Sequence, residues 1–276
     1  MKSSSSCLPV SNLSNLNTLP TFFIHYTKLV DRYPLLANLC TQLNLTEFKI
    51  ITDYDSEVIN PLEFAGSKQF WEARIADIAN ILIANLLSVN SNNHDTYLAL
   101  LKKLRLTNIP LPHWAHPRAL KVGEISVLLK HHSAISLIAN GHKNHGLICE
   151  DDLLFSNDTK NLFYLVIDQL SPDIDYVDLA GGACLAPCPQ TELITSDRPN
   201  LAKLCFPRTR TNASYILSKR YANYIVQRFF PLVFPIDWHL QYIMNLNIHF
   251  NCYWAKNPVF IHGSETESIS SWRENV

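Results

Sequence analysis

The sequence predicts an α/β protein organised around a mainly parallel sheet flanked by helices, and three observations carry that expectation. Short β-branched and aromatic runs alternate with longer segments of helical period, starting with strand, helix, strand over residues 21–52. A length of 276 residues suits one large unit better than two. Apolar residues make up 47% of the chain against 17% charged, enough to fill a sizeable core.

Residues 1–19 are rich in Ser and Asn, with one Lys and no continuous apolar run. They read as a disordered lead-in rather than a secretory signal. Order begins at Thr21-Phe22-Phe23-Ile24-His25-Tyr26, whose residue types favour a strand. Asp31 can cap the next helix, which carries Leu35, Leu36, Leu39 and Leu43 at helical spacing. A second strand over 47–52 ends at Asp53-Tyr54-Asp55, and a right-handed crossover brings His25 and Asp53 to the same carboxyl edge. Helices over 71–89 and 97–106, then Pro110, Pro112 and Pro117, read as a helical insertion spanning about 60–118. A helix over 122–140 places Glu124, His131 and Ile135 on one stripe, and Gly141 stops it.

Further along, a helix over 162–170 and a strand over 176–179 precede Gly181-Gly182. Residues 184–206, with three Pro, read as a long loop. A strand over 214–217, a helix over 219–229, a helix from Asp237 to about Leu246 and an aromatic strand over 248–254 follow. A tail from Pro258 contains Val259-Phe260-Ile261-His262.

Composition narrows the function. A net charge of -1 and a pI near 6.8 speak against nucleic-acid binding by bulk electrostatics. Only 7 Gly occur, and neither GxGxxG nor GxxxxGK(S/T) is present. Seven Cys, an odd number scattered singly, suggest reduced thiols and a cytoplasmic protein. No run approaches the roughly 18 apolar residues of a membrane span. Attachment at the inner face of a membrane stays open.

The functional question turns on Glu150-Asp151-Asp152, which lies between the apolar runs Gly146–Cys149 and Leu153–Phe155. Three adjacent carboxylates in such a setting are costly unless a cation neutralises them, and a strand end holding a divalent ion satisfies that need. A solvated acidic turn is the alternative.

The order of motifs resembles the family 25 glycosyltransferases, the lipopolysaccharide and procollagen galactosyltransferases. The matching pieces are Phe23-Ile24-His25-Tyr26 with Asp31-Arg32, Gly123-Glu124-Ile125-Ser126 running to Leu129-Lys130-His131, and Leu147 to Asp152. Thr211 to Ser218, Pro235-Ile236-Asp237 and the tail from Pro258 to Ser268 complete the set over roughly residues 20–270. The Gly-Glu helix followed by the Glu-Asp-Asp strand is the most specific combination. Departures are Thr27-Lys28 after the opening strand, Lys130 where the family has Ser, and His262 where Gln is common.

The resemblance implies a single A-type glycosyltransferase domain over 20–276 with a Rossmann-like sheet. It also implies a UDP-sugar donor, Mn²⁺ or Mg²⁺, and inverting transfer of a hexose, galactose among the candidates, to a lipopolysaccharide or other glycan or glycolipid acceptor. Asp152 and Glu150 then hold the metal, with Asp151 turned the other way toward the ribose. His262 is a further ligand or an exposed tail residue. Asp237 is the base that takes the acceptor proton, an N-cap, or both. His25, Tyr26, Arg32, Asp53, Glu124, His131, Thr211 and Tyr215 are assigned to donor binding. For several of these a structural role stands equally: Glu124 with His131 as a buried pair, Arg32 as a surface residue, Tyr215 as core, Asp53 and Asp55 as turn formers. Two other classes remain, a catalytically silent nucleotide-sugar-binding relative and a metal-dependent phosphohydrolase.

Overall fold

Strand β1 (Thr21–Ile24) and helix α1 (Tyr33–Gln42) come first, followed by β2 (Phe48–Ile51), in a computed structural model that describes residues 19–64, 120–182, 192–193, 198–204, 207–232, 234–247 and 249–263. Next come α2 (Val122–Asn140), β3 (His145–Glu150), β4 (Leu153–Leu154), α3 (Thr159–Ile167) and β5 (Tyr176–Asp178). The remainder is β6 (Glu192–Leu193), β7 (Leu201–Leu204), β8 (Ser214–Ser218), α4 (Lys219–Val226), α5 (Ile236–Asn245), β9 (Cys252–Ala255) and β10 (Ile261–His262).

Eight strands form one sheet in the order β2-β1-β3-β8-β5-β9-β7-β6. β1 lies parallel between β2 and β3, with Ile24 opposite both Ile51 and Glu150. β8 is inserted antiparallel between β3 and β5, and β7 runs antiparallel to β9 and β6. The sheet is therefore mixed, with most strands sharing one direction, in line with the mainly parallel sheet the sequence predicts.

Alternation along the strands builds two cores, because successive side chains point to opposite faces. Phe22, Ile24, Ile148, Tyr215, Leu217 and Trp254 meet α2, α4 and α5 on one face. Phe23, Leu147, Cys149, Ile216, Val177 and Tyr253 meet α1 and α3 on the other. Gly146 permits the close approach of α2: a Cβ there would stand 2.5 Å from Ile138 Cγ1.

Three local expectations need correction. Asp31 does not cap α1; it sits in a 3-10 turn, Val30–Arg32, and Arg32 occupies the cap position without a side-chain capping bond. Residues 201–204, inside the expected loop, form β7 because β9 offers them a pairing edge, a tertiary effect the short run Leu-Ala-Lys-Leu does not advertise. The last aromatic strand begins only at Cys252.

The expected helices over 71–89 and 97–106, all but the last residue of the lead-in, and all but the start of the insertion lie outside the described residues. Among the described residues, Cys40, Cys149 and Cys252 are buried free thiols. No helix of the described residues is long and apolar enough to cross a membrane.

Candidate metal centre

β3 is buried along its whole length and delivers the acidic triplet to the carboxyl edge of the sheet. Glu150, Asp151 and Asp152 are only 7%, 3% and 5% exposed, so the triplet is not a solvated turn. The three carboxylates part company there.

Asp151 turns toward β1. Its Oδ2 accepts from His25 Nδ1 at 2.7 Å and from the Tyr26 amide at 3.4 Å, and its Oδ1 accepts from Arg32 Nη1. Arg32 is 3% exposed, so it is neither a surface residue nor open to a diphosphate through that nitrogen. His25 gives its Nδ1–H to Asp151, and its Nε2 is buried without a hydrogen-bond partner. Burying an arginine next to a carboxylate answers the charge of Asp151 within the protein.

Glu150 and Asp152 converge instead on His262. β10 pairs antiparallel with β4, His262 opposite Leu153, and the Gly263 amide donates to the Asp152 carbonyl at 2.8 Å. That pairing puts His262 Nε2 at 3.3 Å from Asp152 Oδ2 and 3.8 Å from Glu150 Oε2. One ligand atom from each residue lies within 4.8 Å of the others, and all three residues are buried. Ligands about 2.1 Å from one ion in octahedral array are roughly 3 Å apart, so two carboxylate oxygens and an imidazole at this spacing suit Mn²⁺ or Mg²⁺.

His131 on α2 orients Glu150. Its Nε2 lies 3.3 Å from Glu150 Oε1 and its Nδ1 2.9 Å from the Tyr215 hydroxyl, with the imidazole stacked on the Tyr215 ring at 8°. A carboxylate accepts, so Nε2–H donates to Glu150 and Nδ1 accepts from Tyr215. Burial first, then the charges of Glu150 and Asp237, push the Tyr215 pKa well above 10, which keeps it a donor. Glu124 is not His131's partner. It accepts the Lys121 amide at 2.9 Å, one half of a capping box at the start of α2.

Lys130, the neighbour of His131, binds the edge together. Fully buried, its ammonium donates to the carbonyls of His25 (2.8 Å) and Thr52 (3.0 Å) and to Asp55 Oδ1 (2.6 Å). Burial lowers its pKa, and the bond to Asp55 opposes that shift. Asp53 lies exposed in the turn beyond β2, while Asp55 also accepts from Thr27. Tyr26 is buried and donates to Glu57.

Asp237 stands in the first turn of α5, but Pro235 is the cap residue, so the N-cap reading fails. The carboxylate is partly exposed, and Asn212 Nδ2 donates to its Oδ1 at 3.3 Å. Thr209 Oγ1 bonds its carbonyl at 3.1 Å. Asn212 adopts φ 51° and accepts from Tyr176, whose ring packs on Tyr215. Thr211 Oγ1 donates to the Gly181 carbonyl at 2.8 Å.

Sequence reasoning missed a second buried ion pair at this edge. Asp178, the last residue of β5, meets Arg210 Nε at 2.9 Å and Nη2 at 2.7 Å, and accepts the Gly181 amide at 3.1 Å. Gly181 holds φ +74° with Pro258 against it, a position a side chain would strain. Arg210 lies over the Trp254 ring at 4.7 Å. The signal was available: Tyr176-Val177-Asp178 has the same carboxylate at a strand end as Glu150.

The structure thus brings Glu150, Asp152, His262, His131 and Tyr215 into one cluster, and His25, Arg32 and Asp151 into a network on its other side. Asp237 joins through Asn212, Tyr176 and Tyr215. Asp53 and Glu124 stand apart in their local turns. No protein-family model and no curated protein matches this chain.

Proposed function

We propose that the chain is a metal-dependent inverting glycosyltransferase that moves a hexose from a UDP-sugar to a glycan or glycolipid acceptor. The observation that carries this reading is the buried convergence of Glu150, Asp152 and His262 from two distant chain segments at the carboxyl edge, where open α/β sheets bind ligands. The order of motifs along the sequence supports the choice of transferase.

Glu150, Asp152 and His262 would hold Mn²⁺ or Mg²⁺, which when bound supplies Lewis-acid neutralisation of a diphosphate leaving group. His131 keeps Glu150 aimed through Nε2, and Tyr215 fixes the imidazole tautomer. Asp237 is the general base: Asn212 donates to its carboxylate, and its place in the first turn of α5 leaves that carboxylate partly exposed to take the acceptor's hydroxyl proton. His25 keeps an unpartnered Nε2 beside Asp151, while Lys130 and Arg32 set the backbone and carboxylates around it.

Calorimetric titration of UDP with and without Mn²⁺ tests the reading. Metal-enhanced UDP binding is expected, lost in Asp152→Asn, and UDP should be released from a UDP-sugar when acceptor is added. A protonated His262 could neutralise the two carboxylates by itself; in that case Mn²⁺ leaves UDP affinity unchanged and the proposal fails. Preference for a phosphomonoester over UDP would favour the phosphohydrolase.

A further inference from the structure

A cavity of about 440 Å³ lies at the amino edge of the sheet, the far end from the acidic cluster. α4 leaves β8 where Ser218 faces His145, the first residue of β3, and Asn247, His249 and Phe250 lie shortly before β9. No carboxylate lines this cavity. Two arginines do, and each is held in place. Arg220 uses Nε and Nη2 on Asp175, at 3.0 and 2.5 Å, and lies over Phe250 at 5.4 Å. Arg228 lies over Tyr224 at 3.9 Å, its Nη1 on the Tyr224 carbonyl and Gln227 Oε1, both at 3.3 Å.

Two of the amide side chains add donors. Gln227 has its oxygen on Arg228 and Asn247 has its oxygen on the His249 amide at 3.0 Å, so their NH₂ groups are what they can offer a ligand. Asn223 alone has its NH₂ turned away, onto the Lys219 and Ala139 carbonyls. Fixed guanidinium planes with added N–H donors and no acid match a ligand that only accepts, and phosphate oxygens do. The volume exceeds that of a bare ion and falls in the range of small-ligand sites.

We propose that this cavity binds a phosphate group, carried by a lipid headgroup or by a soluble phosphomonoester. The site is independent of the carboxyl-edge chemistry and stands or falls separately from it.

The test uses the full chain and Arg228→Gln, an exposed position whose replacement leaves the Asp175 pair and the core untouched. Glycerol 3-phosphate is titrated calorimetrically. Co-sedimentation is run with vesicles of phosphatidylglycerol mixed with phosphatidylcholine, and with phosphatidylcholine alone. The wild type should bind a phosphate-bearing probe, and the variant should bind it about fivefold more weakly, the effect of one basic side chain near an anionic surface. Binding to the anionic vesicles assigns the headgroup; binding to glycerol 3-phosphate without vesicles assigns the soluble ligand. Absence of binding to every probe overturns the proposal, as does equal binding by Arg228→Gln with unchanged circular dichroism.

Discussion

Replacing Asp151 with Ala should unfold a large part of this protein's margin of stability. The carboxylate accepts from His25 Nδ1, the Tyr26 amide and Arg32 Nη1, all in the interior. Its loss leaves the Arg32 guanidinium, 3% exposed, with its principal counter-charge gone. Breaking one side of a buried pair costs about 3–5 kcal/mol, a large share of the roughly 5–15 kcal/mol that holds a typical domain. At about 2–4 °C per kcal/mol for a chain of this size, the melting temperature should fall by about 10 °C. Asp151→Asn keeps the shape and an acceptor oxygen, so its cost should be about half. Urea unfolding followed by circular dichroism, extrapolated to water, measures both. A loss below about 1 kcal/mol for Asp151→Ala would mean the pair behaves like one on the surface, and the account of Asp151 as the internal counter-charge of Arg32 would be wrong.

Further outcomes are expected. His131→Phe keeps the stacked ring against Tyr215 but removes both nitrogens, and should weaken Mn²⁺ binding about 10–100-fold, read by calorimetry with metal alone. Burial lowers the pKa of His132 and His145 below 6.5. As pH falls through that value the unfolded chain takes up protons the folded chain refuses, so stability is complete above 6.5 and declines below it; urea midpoints between pH ~7 and ~5 report this slope, which His145→Gln should flatten. Lys130→Met takes the ammonium from Asp55, which keeps only Thr27, and from two carbonyls at the strand ends, at a cost of about 2–4 kcal/mol, seen in the same unfolding assay. Gly146→Ala forces a Cβ against Ile138 and should cost about 1–3 kcal/mol, with far-UV circular dichroism unchanged.

The strands and helices that carry their own pattern were readable from sequence. β1, β3 and α2 lie almost where their apolar runs and helical spacing put them, β1 and β3 being buried throughout, and β2, exposed at Phe48 and Lys49, was readable from its alternation. β7 was not readable: its four residues form a strand only because β9 supplies the partner edge. At the site, strand-end carboxylates were visible as residue types, but their partners were not. Nothing local says that Asp151 belongs to Arg32 rather than to a ligand, or that Glu124 serves its own helix end, since both follow from side-chain directions fixed by packing. Asp237 shows the same limit, as a two-residue shift in the start of α5 separates a cap from a first-turn carboxylate. Asp178 with Arg210 had a readable half and an unreadable one, 32 positions apart.

Lys130 and His131 are adjacent on α2 and reach different destinations, the ammonium to the ends of β1 and β2, the imidazole to the end of β3. One rod therefore gauges three strand tips at once. Any substitution that slides or rotates α2, even at its distal turn over Gly146, will displace the His25 edge and the Glu150 edge in concert. Distant lesions of that kind should imitate direct damage to both, and second-site revertants are to be sought along the same helix.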